Sequence, residues 1–371
     1  MTGCWRASRI AILVGGAVLA VAVRARAQGG VLLQGVVDVE GWSTDTNSNL
    51  LTRHRGRAGG VLRTQLWTAV EPWRGVFIFA QGETEGGNAR AFGENTEVSL
   101  EQAGIRLARD RRFVVNVGKM FHPVGTFAPR SLSVRNPLIG VPDGYSPVYP
   151  VGVSLSGDVG RIDYRAAAVS LPLTHRGYQP HPDAAVHPVI GIGYTPVVGL
   201  RMGGSATTGP YLNGDLTSSQ LQGRSWRAYR QRQVASDIEY GIRHVDVRAE
   251  YAWASYDVPS KGSIAGYTGY VEGRSTITPR LFAAARGEVN NYPFILPVSP
   301  TIWVARRTDF RNWEGAVGFR ATESTLVKVG YRGDKWTVTP ANAAFIRPGG
   351  HALAIQLSQS FDVMDWVSGL R

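Results

Sequence analysis

Four basic side chains, Lys119, His122, Arg130 and Arg135, fall in or beside the segment GKMFHPVGTFAPRSLSVRNPLIG, residues 118–140. An ammonium, an imidazole and two guanidinium groups are hydrogen-bond donors suited to carboxylates, phosphates and simple anions. In a narrow passage such charges act through a lowered effective dielectric, so a few of them could filter solutes by sign. The same region carries prolines at 123, 129, 137, 142, 147 and 150. Each proline restricts φ and reduces the entropy lost on ordering, so the segment can hold one shape without regular structure. A patternless stretch as long as 122–149 is either functional or disordered.

Other chemistry is sparse. His175, His181, Asp183 and His187 lie close together in THRGYQPHPDAAVHP, but their spacing matches no strong metal motif, and a solvated loop explains them equally well. The remaining histidines, 54, 122, 244 and 351, are scattered. The chain has no G-x-S-x-G, H-E-x-x-H, phosphate-binding or dinucleotide fingerprint. No catalytic residue, metal site, cofactor or nucleic-acid partner is expected, and a barrel enzyme is the weaker alternative.

The elements around the basic segment are strands with period-2 alternation. In VASDIEYGIRHVDVRAEYAWASY, Asp237 and Glu239 oppose Ile238, Tyr240 and Ile242, and Asp246, Arg248 and Glu250 oppose Val245, Val247, Tyr251 and Trp253. Sixteen such strands are expected near 30–41, 58–70, 74–84, 96–108, 112–121, 150–157, 160–170, 187–195, 198–208, 230–242, 245–257, 264–276, 279–290, 310–321, 324–336 and 350–361. Every second connection is tight: Glu71-Pro72, Arg109-Asp110-Arg111, Gly157-Asp158, Pro196-Val197, Arg243-His244, Ile277-Thr278 and Thr322-Glu323. The others, 42–57, 85–95, 122–149, 171–186, 209–229, 291–309 and 337–349, are long and polar, with 258–263 the short exception. A soluble sandwich shares the alternation but has no reason to gather its long loops at one end. An even number of strands with short turns at one end and long loops at the other points to an all-β, up-and-down transmembrane barrel.

The polar faces of those strands then point inward. They carry Asp38, Glu40, Arg63, Arg161, Asp163, Arg165, Asp237, Glu239, Asp246, Arg248, Glu250, Glu272, Arg274, Arg286, Glu288, Glu314, Arg320, Lys328 and Arg332. A dry core is a costly place for so many ions, each losing several kcal/mol of hydration even when paired. A water-filled lumen is therefore expected, and sixteen strands leave room for one.

The N-terminus reads as an export signal: Arg6 and Arg9, an apolar run from Ile10 to Val23, and a small-x-small site at Ala25-Arg26-Ala27. The run is too short to span ~30 Å of hydrocarbon. Cleavage before Gln28 would discard the single cysteine, Cys4, and leave residues 28–361 as barrel with 362–371 as a short periplasmic extension. Losing Arg6, Arg9, Arg24 and Arg26 takes the formal charge from +12 to +8, an excess that is nearly all arginine. Anionic partners and a codon preference for arginine account for it equally well. No later apolar run approaches a helical membrane span.

In strand number, loop alternation and a longest third loop, the chain resembles the sixteen-stranded outer-membrane porins. Gly118, Lys119, Pro123, Gly125 and Arg130 also resemble the G-(K/R)-x-x-x-P-x-G-x-x-x-x-R pattern of porins similar to the phosphate-selective group. The resemblance implies an inward-folded third loop, an outer-membrane location and a homotrimer. The expected function is passive diffusion of small polar solutes and ions with a preference for anions. Lys119, His122, Arg130 and Arg135 would form the constriction, facing Arg63, Arg161, Arg165, Arg248, Arg274, Arg286, Lys328 and Arg332, with Asp163 among them, on the lumen wall. A non-conducting barrel serving as adhesin, receptor or scaffold is the competing reading.

Overall fold

The computed structural model describes residues 31–49, 56–88, 96–145, 148–170, 185–212, 214–299, 301–339 and 346–363. The expected leader, His175, His181, Asp183 and most of the 362–371 extension lie outside these residues. The strands are β1 (Val31–Thr44), β2 (Ala58–Trp73), β3 (Val76–Gly87), β4 (Glu97–Asp110), β5 (Phe113–Lys119), β6 (Val151–Val159), β7 (Ile162–Val169), β8 (His187–Val197), β9 (Leu200–Pro210), β10 (Arg230–Ile242), β11 (Val245–Val258), β12 (Gly262–Thr276), β13 (Leu281–Pro297), β14 (Trp303–Arg320), β15 (Thr325–Trp336) and β16 (Gly349–Asp362). Each pairs antiparallel with its sequence neighbours, and β16 closes on β1 from Gln34↔Asp362 to Thr44↔Ala352. Closure gives the strand backbones partners with no free sheet edge, the condition for crossing hydrocarbon with strands.

The distribution of polarity inverts that of a soluble core. Val117, Val153, Ile190, Ile192, Val271, Val329 and Ile355 are exposed on the outer parity, while Asp38, Gln65, Glu272 and Lys328 are buried on the inner one. Tyr251, Trp253, Tyr267, Trp313 and Tyr331 lie outward toward the long-loop end, and Trp73, Phe113, Tyr194 and Tyr240 lie toward the short-turn end. An apolar band between two aromatic girdles is what a bilayer selects.

Three expectations shift. Several tight turns lie a few residues later than the sequence suggests, because left-handed glycines set them: Gly75 (φ 79°), Gly160 (φ 64°) and Gly199 (φ 90°). Arg161 consequently sits in the turn between β6 and β7, where it donates to the Pro196 carbonyl at 2.9 Å, and it is not part of the lumen wall. Finally, 291–309 is not a long loop. Pairing continues from Asn291↔Asp309 to Pro297↔Trp303, beyond the last β12–β13 pair at Tyr267↔Asn291. Pro293 is tolerated there because β13 pairs only with β14 at that height. On the long-loop side, 259–261 and 298–302 are thus both short.

The parity makes a direct prediction. Ile355→Arg, on the outer face, should lower unfolding free energy in lipid vesicles by about 2–4 kcal/mol. Guanidinium titration followed by tryptophan fluorescence checks this, and an unchanged midpoint would contradict the lipid-facing assignment.

Candidate functional site

The segment between β5 and β6 begins as a continuation of the ladder, with Met120 N–H donating to Pro150 O and His122 N–H to Val148 O, both at 2.9 Å. It then leaves the wall and folds into the barrel, making two short 3-10 turns at Ala128–Arg130 and Asp143–Tyr145. Non-repetitive backbone inside a barrel needs partners for its N–H and C=O groups. Four glutamates, one on each of four successive strands, supply acceptors. Glu250 (β11) accepts from Thr126 N–H at 3.1 Å, from the Thr126 hydroxyl, and from Tyr270 OH at 3.0 Å. Glu272 (β12) pairs with the Arg130 guanidinium. Glu288 (β13) accepts from Asp143 N–H at 3.0 Å, and Glu314 (β14) from Ile139 and Gly140 N–H at 3.0 and 2.8 Å.

Cations serve the carbonyls. Lys328 (β15), fully buried, donates to the carbonyls of Ser133, Asn136 and Leu138 at 2.9, 3.0 and 2.9 Å. Arg165 (β7) donates to Gly125 O at 2.8 Å, and Arg332 (β15) pairs with Asp143 at 2.7 Å. At the centre, Arg286 (β13) bridges Glu272, Glu288 and Glu314 at 3.3, 3.0 and 2.8 Å and donates to Gly140 O at 3.0 Å. Packing adds to this: Leu138 inserts against Ala284 and Ala316, and Phe127 and Tyr145 meet the Tyr270 ring edge-on at 5.8 and 5.1 Å. Two glycines permit the close approach. A Cβ at Gly125 would lie 2.8 Å from Glu250 Oε2, and one at Gly140 the same distance from Glu314 Oε2.

The four basic residues of this segment meet different fates. Lys119 shares a register row with Ala103 and Val151, on the outward parity of Val117, and its ammonium donates to Leu100 O at 2.6 Å. It does not face the lumen. His122 accepts from Val124 N–H at 3.2 Å through Nδ1; burial, with His187 and Arg165 nearby, pushes its pKa down to about 3, so it carries no charge at neutral pH. Arg130 is neutralised by Glu272. Arg135 alone stays exposed, with only a 3.4 Å bond to Pro129 O among the described residues.

On the wall, the inward parity holds for Arg63, Asp163, Arg165, Arg248, Arg274, Arg286, Lys328 and Arg332, but their surroundings differ from those expected. Glu250, Glu272, Glu288, Glu314, Arg286, Lys328 and Arg332 are each at most 5% exposed. They do not line open water, because the loop lies over them and its backbone replaces the solvent. Arg248 lies 3.5 Å from Glu239, and Arg274 stands over the Phe282 ring at 4.6 Å. On the wall away from the glutamate row, Arg63 reaches Glu40, Glu85 and Glu83 at 3.1, 2.7 and 3.8 Å, and its side chain keeps 27% exposure.

Several inward charges escape the sequence reading. Glu83 and Glu85 continue the alternation of Gln81 and become visible once β3 is extended to Gly87. Glu101 is obscured by a bulge opposite Gln81 and Gly82. Arg201, which pairs with Asp163 at 2.7 Å and Asp237 at 2.5 Å, sits among glycines and small residues that show no alternation. Asp143, in the loop, has no periodic context at all.

These features define a closed sixteen-stranded barrel of the outer-membrane porin fold with an inward third loop. Solved structures with this architecture include an anion-selective porin from Comamonas acidovorans (9% identity, TM-score 0.59, covering 90% of this chain and 100% of that one). The outer-membrane channel DcaP of Acinetobacter baumannii is 10% identical, with TM-score 0.63 and coverage of 90% and 98%. The outer-membrane protein OmpT of Vibrio cholerae in its trimer form is 10% identical, with TM-score 0.56 and coverage of 90% and 99%. No protein-family model and no curated protein sequence matches the chain. Such similarity carries the fold and does not extend to the phosphate-selective group.

Two predictions test the loop geometry. Glu314→Ala removes the acceptor of two amides and one partner of Arg286, at about 1.5–3 kcal/mol for each bond to a charged group. Hydrogen exchange at Ile139 and Gly140 should accelerate while exchange in the β1–β2 ladder stays unchanged. His122, whose pKa lies below its ordinary 6.5, favours the docked loop when neutral, so docking is fully supported above that value and weakens as pH falls toward 3. In an NMR titration its ring protons should show no protonation step between roughly pH 8 and 5; a midpoint near the unperturbed value of about 6.5 would show that the ring is solvated.

Proposed function

We propose that the chain is an outer-membrane channel for passive diffusion of small hydrophilic solutes and ions, with the loop between β5 and β6 as its constriction. The observation that carries this reading is the ordered loop itself, hydrogen-bonded to inward side chains of β7, β9, β11, β12, β13, β14 and β15. Confining the loop to one side narrows the lumen and directs traffic toward the wall that carries Arg63, Glu83 and Glu85. A leader at residues 1–27, a periplasmic tail from 362 and a homotrimeric assembly belong to the same proposal. The trimer form of the structurally similar Vibrio cholerae protein supports the last of these.

Charge preference follows from which ions remain unpaired. Arg130, Arg165, Arg286 and Arg332 are matched by carboxylates, and Lys328 by carbonyls. The anion bias therefore rests on Arg135 in the loop and Arg274 on the wall, opposed by the exposed parts of Glu83 and Glu85, and it is weak. A second reading, a non-conducting scaffold or receptor, draws on the burial of so many inward ions beneath the loop.

Planar-bilayer recording of the purified protein separates the two. Discrete conductance steps are expected, together with a reversal potential in a KCl gradient that is slightly anion-favouring and moves toward cations in Arg135→Ala. Deleting residues 125–145 should enlarge the steps. A silent wild-type protein alongside a conducting deletion would favour the plugged scaffold.

A further inference from the structure

The outer face of the barrel carries an unexplained charge arrangement at the long-loop end of β14 and β15. Arg311 and Lys335 are direct cross-strand partners, and both are exposed on the outward parity. Like charges facing each other across a ladder oppose pairing. Neither forms an ion pair among the described residues. Arg307, two positions above Arg311 on the same face, is also exposed and unpaired among them. The nearby outward carboxylate, Asp309, is engaged by the Asn291 amide, and Asp45 accepts from His351 N–H at 2.9 Å. A comparable position on β10 shows the ordinary solution: Arg232, above Trp253 and Tyr267, has Asp257 at 3.9 Å.

Directly below the Arg311–Lys335 pair lies an aromatic plate. Trp313 lies across Gly333, where a Cβ would come within 2.1 Å of its ring, and it meets His351 edge-on at 6.2 Å. Tyr331 stacks on His351 at 5.6 Å, and its hydroxyl lies 2.5 Å from His351 Nδ1. Below the plate, Val317, Val329, Leu353 and Ile355 form the exposed apolar band. From loop end to midplane the order is cation pair, aromatic plate, hydrocarbon. That sequence of chemistries matches an amphiphile with a phosphorylated sugar head and acyl chains.

We propose that Arg311 and Lys335 bind the phosphate of a phosphorylated glycolipid in the outer leaflet. The anion relieves their mutual repulsion, the sugar rests on Trp313, Tyr331 and His351, and the chains lie along Val317, Val329, Leu353 and Ile355. This rests on the outer-membrane placement proposed above but not on conduction.

The test uses the full-length mature protein in detergent, with bisphosphorylated lipid A, its dephosphorylated form and inorganic phosphate as probes, read by native mass spectrometry. Wild type should retain bisphosphorylated lipid A roughly tenfold better than the dephosphorylated form, and Arg311→Gln/Lys335→Gln should lose that margin. Arg311→Lys/Lys335→Arg should keep it, and Arg232→Gln should leave it unchanged. Equal retention of both lipids, or an undiminished margin in the double glutamine variant, overturns the proposal. Displacement of the lipid by equimolar inorganic phosphate would assign the pair to free anions and overturns the lipid source. Bilayer conductance and heat-modifiable gel mobility report folding and channel function separately, so a silent channel that still discriminates the two lipids leaves the site standing.

Discussion

The interior of this barrel is organised by a row of carboxylates, Glu250, Glu272, Glu288 and Glu314, the last three joined by Arg286, all turned toward a loop that has no regular structure of its own. An irregular segment brought to membrane depth needs hydrogen-bond partners for its backbone groups. A row of buried acids needs donors and countercharge. Each solves the other's problem. The loop's amides and Arg130 satisfy the acids, Lys328 and Arg165 satisfy the loop's carbonyls, and proline keeps the ordering entropy low.

This reciprocity also determines the functional character of the site. Charges that would bias ion flow if exposed are used up in holding the loop. The wall near β1–β3 keeps partly exposed charge, but that charge is mixed in sign, with Arg63 set among Glu40, Glu83 and Glu85. In the proposed channel, shape and polarity would therefore govern passage more than net charge. The outer face shows the opposite: Arg311 and Lys335 face each other across the ladder with no ion pair among the described residues.

Much of the architecture was legible because a barrel strand faces two solvents. Residues such as Val327, Val329 and Tyr331 against Lys328 and Arg332 write that contrast into the chain at period 2. Turn positions were less legible, since proline drew attention where glycine with positive φ decided, as at Gly75 and Gly199. The β13–β14 ribbon was misread for a related reason. Pro293 reads as a strand breaker unless it is known that β13 pairs on one side only at that height.

The loop shows where sequence reading stops. Its length, prolines and basic residues marked Lys119, His122, Arg130 and Arg135 as the site, and nothing local distinguished them. The tertiary structure separated them by parity, burial and partner: Lys119 turned outward, His122 kept neutral, Arg130 paired, Arg135 left exposed. By itself the sequence determined the strand count, the alternation of faces and the identity of the longest loop, because these depend on local periodicity and connection length. Only the closed barrel decided which charges meet water, because Glu314 and Gly140 are far apart in sequence and become neighbours through the folding-in of one loop.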